Sequence, residues 1–295
     1  METAQRTTSE SGKKRTRIGR HVIRIINYTI VGLLIGLTLF ILVWVIASSF
    51  KTTQEIFKSP FELPKSAGSA ATRNYGKAWN VSHMGLYFRN SLMVVFTSAI
   101  MLLVVSSPAA YVLARIRFRG STLINYYFVA GMGVPLQLIL VPYYVLMSGL
   151  RLTNSLQGLM VTYMTIQLPL SILLLIAFFK TLPSELEDSG AIDGCGNIQI
   201  FIRIILPLAS PGLVTTAIFN FVWIWKDFLM AFLLINKDKA RTLAMGLLNV
   251  NYSMQYTGDW ASMFAALVIM IIPVTIVYMA ITRRVISGLT LGMGK

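Results

Sequence analysis

The chain has 295 residues, 55% hydrophobic and 13% charged, with a mean hydropathy of +0.68; soluble domains carry about a quarter charged residues, which argues against a water-soluble globule. The formal net charge of +15, from 26 Lys and Arg against 11 Asp and Glu, would suggest nucleic acid in a soluble protein; in so apolar a chain it points to anionic headgroups and membrane topology. One cysteine permits no intrachain disulfide and two histidines disfavour a histidine-based metal centre, so the usual metal and triad forms of catalysis are not expected.

A bilayer-spanning helix needs roughly 20 mostly apolar residues. The first charge-free run, 25–50, follows Arg20 and Arg24 and stops at Lys51. It is longer than the apolar region of a signal peptide, about 7–15 residues, and reads as an uncleaved anchor. Gly32 and Gly36 in it form a Gly-x-x-x-Gly pair that allows close helix packing. The second run, 90–114, is closed by Arg115, Arg117 and Arg119. The third and fourth, 120–150 and 152–179, are joined by a hairpin at Ser148, Gly149, Asn154 and Ser155. The fifth, 211–235, contains Lys226 and Asp227, and the sixth, 262–282, stops at Arg283 and Arg284.

This predicts an all-α polytopic membrane protein with six transmembrane helices and both termini on one side. A basic tail, 1–24, with Lys13, Lys14, Arg15, Arg17, Arg20 and Arg24, places that side in the cytoplasm. The membrane domain is then 25–282, and the C-terminal tail, 283–295, is cytoplasmic. An outer loop, 51–89, carries Lys58, Lys65, Arg73 and Lys77 against this trend, but its charges are dispersed over a longer segment.

The cytoplasmic loop 180–212 carries the most information. Ser184 followed by Glu187 is a capping-box pattern. Asp193 and Gly194 supply a turn, and Asn197 is placed to cap a second short helix with Ile198, Phe201, Ile202 and Ile205 at helical spacing. Pro207 and Pro211 interrupt it before the fifth span. Such a helix, turn and helix either docks into a cleft on a partner or lies on the headgroups, where Glu185, Glu187, Asp188 and Asp193 are poorly suited.

The stretch resembles the signature cytoplasmic loop of the membrane subunits of ABC importers. In that pattern Glu-Ala-Ala is followed by three residues ending in Asp-Gly and then by a hydrophobic segment closing on Leu-Pro. Asp193, Gly194, Phe201, Ile204, Leu206 and Pro207 match, while Asp188, Ser189 and Gly190 replace the Glu-Ala-Ala. The chain is similar in particular to the carbohydrate-uptake, maltose-type branch. The matching pieces are Glu55-Ile56-Phe57, Pro60-Phe61, Asn74-Tyr75, Ala78-Trp79, Phe88-Arg89-Asn90-Ser91, Ala109-Ala110-Tyr111, Leu113-Ala114-Arg115, Trp225 with Asp227-Phe228-Leu229, and Gly288-Leu289-Thr290 with Gly292 and Lys295.

The resemblance implies a type I importer permease that is not an enzyme. It implies as partners a second permease, forming a heterodimer, two cytoplasmic ABC ATPase subunits and an extracytoplasmic solute-binding protein. The solute is a sugar or oligosaccharide, and the location a bacterial or archaeal cell membrane. The loop, with Glu187, Asp188, Ser189, Gly190, Asp193, Gly194, Phe201 and Pro207, then acts as a coupling helix in the ATPase. No Gly-x-x-x-x-Gly-Lys-Ser/Thr occurs, so the chain needs no cofactor of its own: ATP and Mg are bound by the partner ATPase.

Candidates for the translocation path are Gln137, Gln167, Asn220, Trp223, Trp225, Lys226 and Asp227, because polar groups in a span face a cavity or another helix. The related permeases commonly have asparagine where Lys226 stands; the lysine either faces the cavity or pairs with the partner subunit. Lys226 and Asp227 are also the candidate relay for the alternative reading, an ATP-independent secondary transporter or channel.

Overall fold

The computed structural model describes the backbone of residues 2–65 and 67–292, and the side chains of 24–65 and 67–279. The described elements are helical, with no strand among them. Side chains of the basic tail before Arg24, and those of Arg283, Arg284 and the C-terminal tail, lie outside the described residues.

The first helix, α1 (Glu2–Ser49), carries an apolar stretch from Arg24 whose most apolar window has no buried residue. Near its end α1 meets α14, with Trp44 edge-on to Phe264 at 5.3 Å, but most of its apolar surface is left open and requires lipid or another subunit around it. Cβ atoms added at Gly32 and Gly36 would meet nothing within 4 Å, so the close packing expected of that pair is not made within this chain. Just past α1, Lys51 is 1% exposed. Its Nζ donates to the carbonyls of Ser59 (3.0 Å) and Pro60 (2.9 Å), and Trp44 Nε1 donates to the same Pro60 oxygen. Asn74 Nδ2 donates to the carbonyls of Ser49 and Lys51. These bonds fold the segment after α1 back onto its end.

The capping box that the sequence suggests at Ser184 occurs instead at Thr52 and Glu55, opening α2 (Thr53–Lys58). The Thr52 N–H donated to the Glu55 carboxylate holds that carboxyl below its ordinary value. Then come α3 (Ala67–Gly76) and a π turn, Lys77–Val81. The long helix α4 (Met84–Arg115) continues to the other membrane face.

The third run is not one straight helix: α5 (Ser121–Met132) and the segment 136–149, a 3-10 turn and then α6 (Leu140–Gly149), meet at 90°. Pro135, which has no N–H to give, stands extended at the break (ψ 127°), and it biases Val134 away from helix. Next comes α7 (Leu156–Phe179), opened by Ser155 accepting from the Gly158 N–H. The short helices α8 (Glu185–Ile192), α9 (Asn197–Ile200) and α10 (Leu206–Leu208) precede α11 (Ser210–Lys226), and the bend into α11 is 72°. The fifth run is also broken. It stops at Lys226, Asp227 is extended (ψ 126°), and α12 (Leu229–Leu234) begins afresh.

The sequence reading found no element between the fifth and sixth runs, but α13 (Leu243–Thr257) lies there, burying Leu243, Met245, Val250 and Met254. The first turns of α4 hold its approach: Asn90 Nδ2 donates to the carbonyls of Lys239 and Arg241, and Ser91 Oγ accepts from the Leu243 N–H. A Cβ on Gly246 would come within 2.2 Å of the Tyr87 ring, so only glycine fits there. The last helix is α14 (Trp260–Gly292).

Among the described residues four helices are long and apolar enough to span a membrane, and counting each bent pair as one span makes six. Their main core gathers Tyr87, Tyr163, Phe221, Trp225, Met230 and Leu243. A second core, with Tyr111, Phe179, Ile200 and Ile205, seats the segment between α7 and α11.

Candidate functional site

The segment between α7 and α11 is anchored to α4. Glu187 does not reach back to Ser184, whose side chain makes no capping bond. The carboxylate turns instead to Arg115, with Nε and Oε1 3.2 Å apart at 14% and 22% side-chain exposure. The two atoms face each other off the hydrogen-bond direction, so the attraction is mainly Coulombic. Arg115 Nη2 also donates to the Leu182 carbonyl.

At the end of α8 the Cys195 N–H donates to the Gly190 carbonyl and the Gly194 N–H to that of Ala191, with Gly194 at φ +81°. This is a Schellman stop, and its left-handed position explains a glycine after Asp193. Gly190 is buried: an added Cβ would lie 2.7 Å from Ile204 Cδ1 and 3.1 Å from Ile200 Cγ1. Ser189 is exposed, its hydroxyl donating to the Glu185 carbonyl. Asn197 is the first residue of α9 rather than its cap; Gly196 precedes it and donates its N–H to Gln199 Oε1.

The apolar stripe also differs from expectation. A π turn at Phe201–Ile205 adds a residue to the helical repeat and rotates the chain beyond it. Ile200 and Ile205 are buried and Phe201 lies against the Tyr111 ring at 5.0 Å, whereas Ile198 and Ile202 are exposed. The outward face therefore combines Asp188, Asp193 and Glu185 with Ile192 (86% exposed), Ile198 and Ile202. Pro207 is exposed in α10. Cys195 is half-buried against the second core.

The candidates for the path separate into two groups. Gln167 and Asn220 are buried between α7 and α11: Gln167 Nε2 donates to Asn220 Oδ1 (3.2 Å), and Asn220 Nδ2 donates to Ser171 Oγ and the Thr216 carbonyl. Trp225, 2% exposed, donates Nε1 to the Met270 carbonyl and stacks on Phe221. These side chains are engaged in holding helices together. Gln137 and Lys226 are exposed, and Lys226 makes no ion pair among the described residues. Trp223 is half-buried beside Tyr163.

Asp227 accepts from Tyr163 OH at 2.8 Å and from the Met230 N–H at 3.0 Å. It joins α7 to the start of α12 and is not paired with its neighbour, so the two residues form no charge relay. Sequence reasoning missed the anchoring role of Arg115, which it used for topology and for the resemblance, and the partners Ser171, Tyr163 and the Thr216 carbonyl, none of which carries a local sequence signal.

Residues 106–290 match the family model described as the binding-protein-dependent transport system inner membrane component. The chain is 36% identical over 251 residues to the diacetylchitobiose uptake system permease protein NgcG of Streptomyces coelicolor, covering 85% of this chain and 82% of that protein. It is 35% identical to the sulfoquinovosyl glycerol transport system permease protein SmoH of Agrobacterium fabrum, covering 86% and 88%. It is 32% identical to the trehalose/maltose transport system permease protein MalG of Thermococcus litoralis, covering 87% and 91%. Its fold is similar to that of a chain in the crystal structure of a bacterial ABC transporter importing the acidic polysaccharide alginate, with TM-score 0.76 and 19% identity over 89% of this chain and 96% of that one. With its spanning helices and this match over more than half its length, the chain belongs to the family of inner membrane components of binding-protein-dependent transport systems.

Proposed function

We propose that the chain is one of two membrane-spanning subunits, forming a heterodimer, of an ATP-driven importer for a sugar or oligosaccharide. A single observation carries the substrate class: three relatives at 32–36% identity, aligned over most of their length, are named for glycosides or saccharides. Both termini and the segment 180–212 face the cytoplasm, where an ABC ATPase meets the outward face of α8 and α9. Ile192 and Ile198 supply apolar anchors there, and Asp188 and Asp193 supply charge. ATP and Mg bind to that ATPase, and a solute-binding protein delivers the sugar at the other face.

The Schellman stop and Gly190 fix the angle between α8 and α9. The Arg115–Glu187 pair passes a push on that segment to α4, which spans about 48 Å at about 1.5 Å per residue over its 32 residues. A two-state ATPase clamp that grips this segment thereby biases which end of the bundle is open. Gln137 and Lys226, exposed at bends in the third and fifth spans, line the route; Gln167, Asn220 and Trp225 shape it from behind.

The test is affinity purification of the tagged chain in mild detergent with mass spectrometry of the proteins that accompany it, and then reconstituted uptake. A second permease and a P-loop ATPase are expected, with uptake of a saccharide on addition of ATP. A homo-oligomer without ATPase overturns the reading.

A further inference from the structure

The outer segment 51–89 holds six basic residues, Lys51, Lys58, Lys65, Arg73, Lys77 and Arg89, against the acids Glu55 and Glu62. On the orientation proposed above, this runs against the tendency of Lys and Arg to stay on the cytoplasmic side. Some of this charge is internally used. Lys51 is buried on carbonyls, Lys65 pairs with Glu62, and Glu55 caps α2.

The rest includes the rim of a cavity of about 720 Å³, lined by both polar and apolar side chains, at the end of α4 opposite the α8–α9 segment. Gln54, Arg73 and Lys77 form one side, and Ser253, Thr257 and Asp259 the other. Lys77 Nζ reaches Asp259 Oδ2 at 2.9 Å across the opening. Asp259 is engaged further, since it also accepts from the Ser262 N–H and hydroxyl. Among the described residues Arg73 makes no ion pair and no side-chain hydrogen bond, and it is exposed. With Lys77 paired to Asp259, the cavity is left with one uncompensated cation, the Arg73 guanidinium, which is suited to bidentate capture of a carboxylate.

We propose that this cavity is the seat of an acidic side chain, Asp or Glu, from the extracytoplasmic solute-binding protein, with Arg73 as its anchor. The inference rests on the importer reading and adds which residue receives the partner and with what chemistry. No aromatic side chain lines the cavity, so it offers no stacking platform for a sugar ring, whereas its free charge complements an acidic protein face. The surrounding basic excess raises the encounter rate, and salt screens it.

The experiment uses the complete complex, purified with its ATPase and placed in nanodiscs. ATP hydrolysis is titrated with the solute-binding protein recovered with the chain after crosslinking in intact cells, at low and high salt, with hexaglutamate as competitor. Arg73→Glu should raise the half-saturating concentration of the binding protein about tenfold, flatten the salt dependence and abolish competition by hexaglutamate, while leaving unstimulated hydrolysis unchanged. Lys58→Glu, exposed on the same segment but outside the cavity, should shift it less than threefold. Wild-type half-saturation and salt response in Arg73→Glu overturn the proposal, as does an equal shift in both variants, which makes the effect a general field. A changed solute preference at unchanged half-saturation also overturns it and makes the cavity a solute vestibule. A wild-type complex without ATPase, or one that no binding protein stimulates, takes down the importer reading itself.

Discussion

Arg115 at the end of α4 and Glu187 in the first turns of α8 stand 3.2 Å apart, Nε to Oε1, and each is largely shielded from water. Removing one partner strands the other charge. For a fully buried pair that costs about 3–5 kcal/mol, and the partial exposure here reduces it to about 2 kcal/mol. Arg115→Ala is therefore expected to insert normally but to lose tenfold or more in uptake, with the ATPase still bound and hydrolysing. The comparison is uptake against ATP turnover in proteoliposomes, and unchanged coupling in Arg115→Ala removes α4 as the route.

The turn after α8 gives a ranked pair of outcomes. At Gly194 there is open space but φ is +81°, so Gly194→Ala meets only backbone strain of about 1–2 kcal/mol. At Gly190 the backbone is ordinary but the space is filled, so Gly190→Leu must displace Ile204 and Ile200. Co-purification of the ATPase should fall modestly in the first variant and severely in the second. Gly194→Asp and Asp193→Arg should insert yet fail to couple, the arginine through its reversed charge. Normal uptake in both removes the assignment of the turn.

Asn220 links Gln167, Ser171 and the Thr216 carbonyl between α7 and α11. Asn220→Leu keeps the number and branching of the side chain's heavy atoms but leaves Gln167 without that acceptor. Hydrogen bonds between membrane helices contribute roughly 0.6 kcal/mol on average and up to about 1.7 kcal/mol. A drop of a few degrees in the melting temperature of the detergent-purified protein is expected, with solute preference unaltered. A change of preference without loss of stability would mean that Asn220 meets the solute directly.

At Asp259, burial opposes ionisation, but the hydrogen bond from Lys77 and those from Ser262 outweigh it and hold the carboxyl below its ordinary value of 3.8. A depressed carboxylate contributes stability above its unfolded-state pKa and loses it as pH falls through the folded-state value. Asp259→Asn should thus be less stable than wild type at pH 7, by no more than about 1 kcal/mol because Lys77 is half-exposed. The gap should narrow only in acid below the usual carboxylate range. Melting curves at stepped pH decide it, and a gap already closed near pH 6 would assign it to another group.

Lys226, exposed at the break in the fifth span, is expected to favour anionic solutes; Lys226→Asn should cut uptake of acidic sugars severalfold and leave neutral ones unchanged. An unchanged ratio excludes it from selectivity.

The spans were legible because lipid demands long apolar runs, and such runs are local in sequence. The bends were not. Pro135 marks a break, but its 90° depends on what α5 and α6 pack against. Helix α13 was hidden because Asn249, Asn251, Ser253 and Gln255 interleave its apolar positions, and the clamp that holds its approach comes from Asn90 and Ser91, more than a hundred residues away. In the segment 180–212 the Asp-Gly turn was readable from backbone chemistry alone. The capping box was not, because a residue pattern does not reveal that Arg115 competes for Glu187.

The buried Lys51 has a mechanical meaning for the first helix. An ammonium fastened to the Ser59 and Pro60 carbonyls, eight and nine residues further on, ties the end of α1 to the segment that follows it, so that the two move as one piece. Any tilt imposed on α1 by its surroundings is therefore delivered to Pro60 and the segment beyond it as rotation.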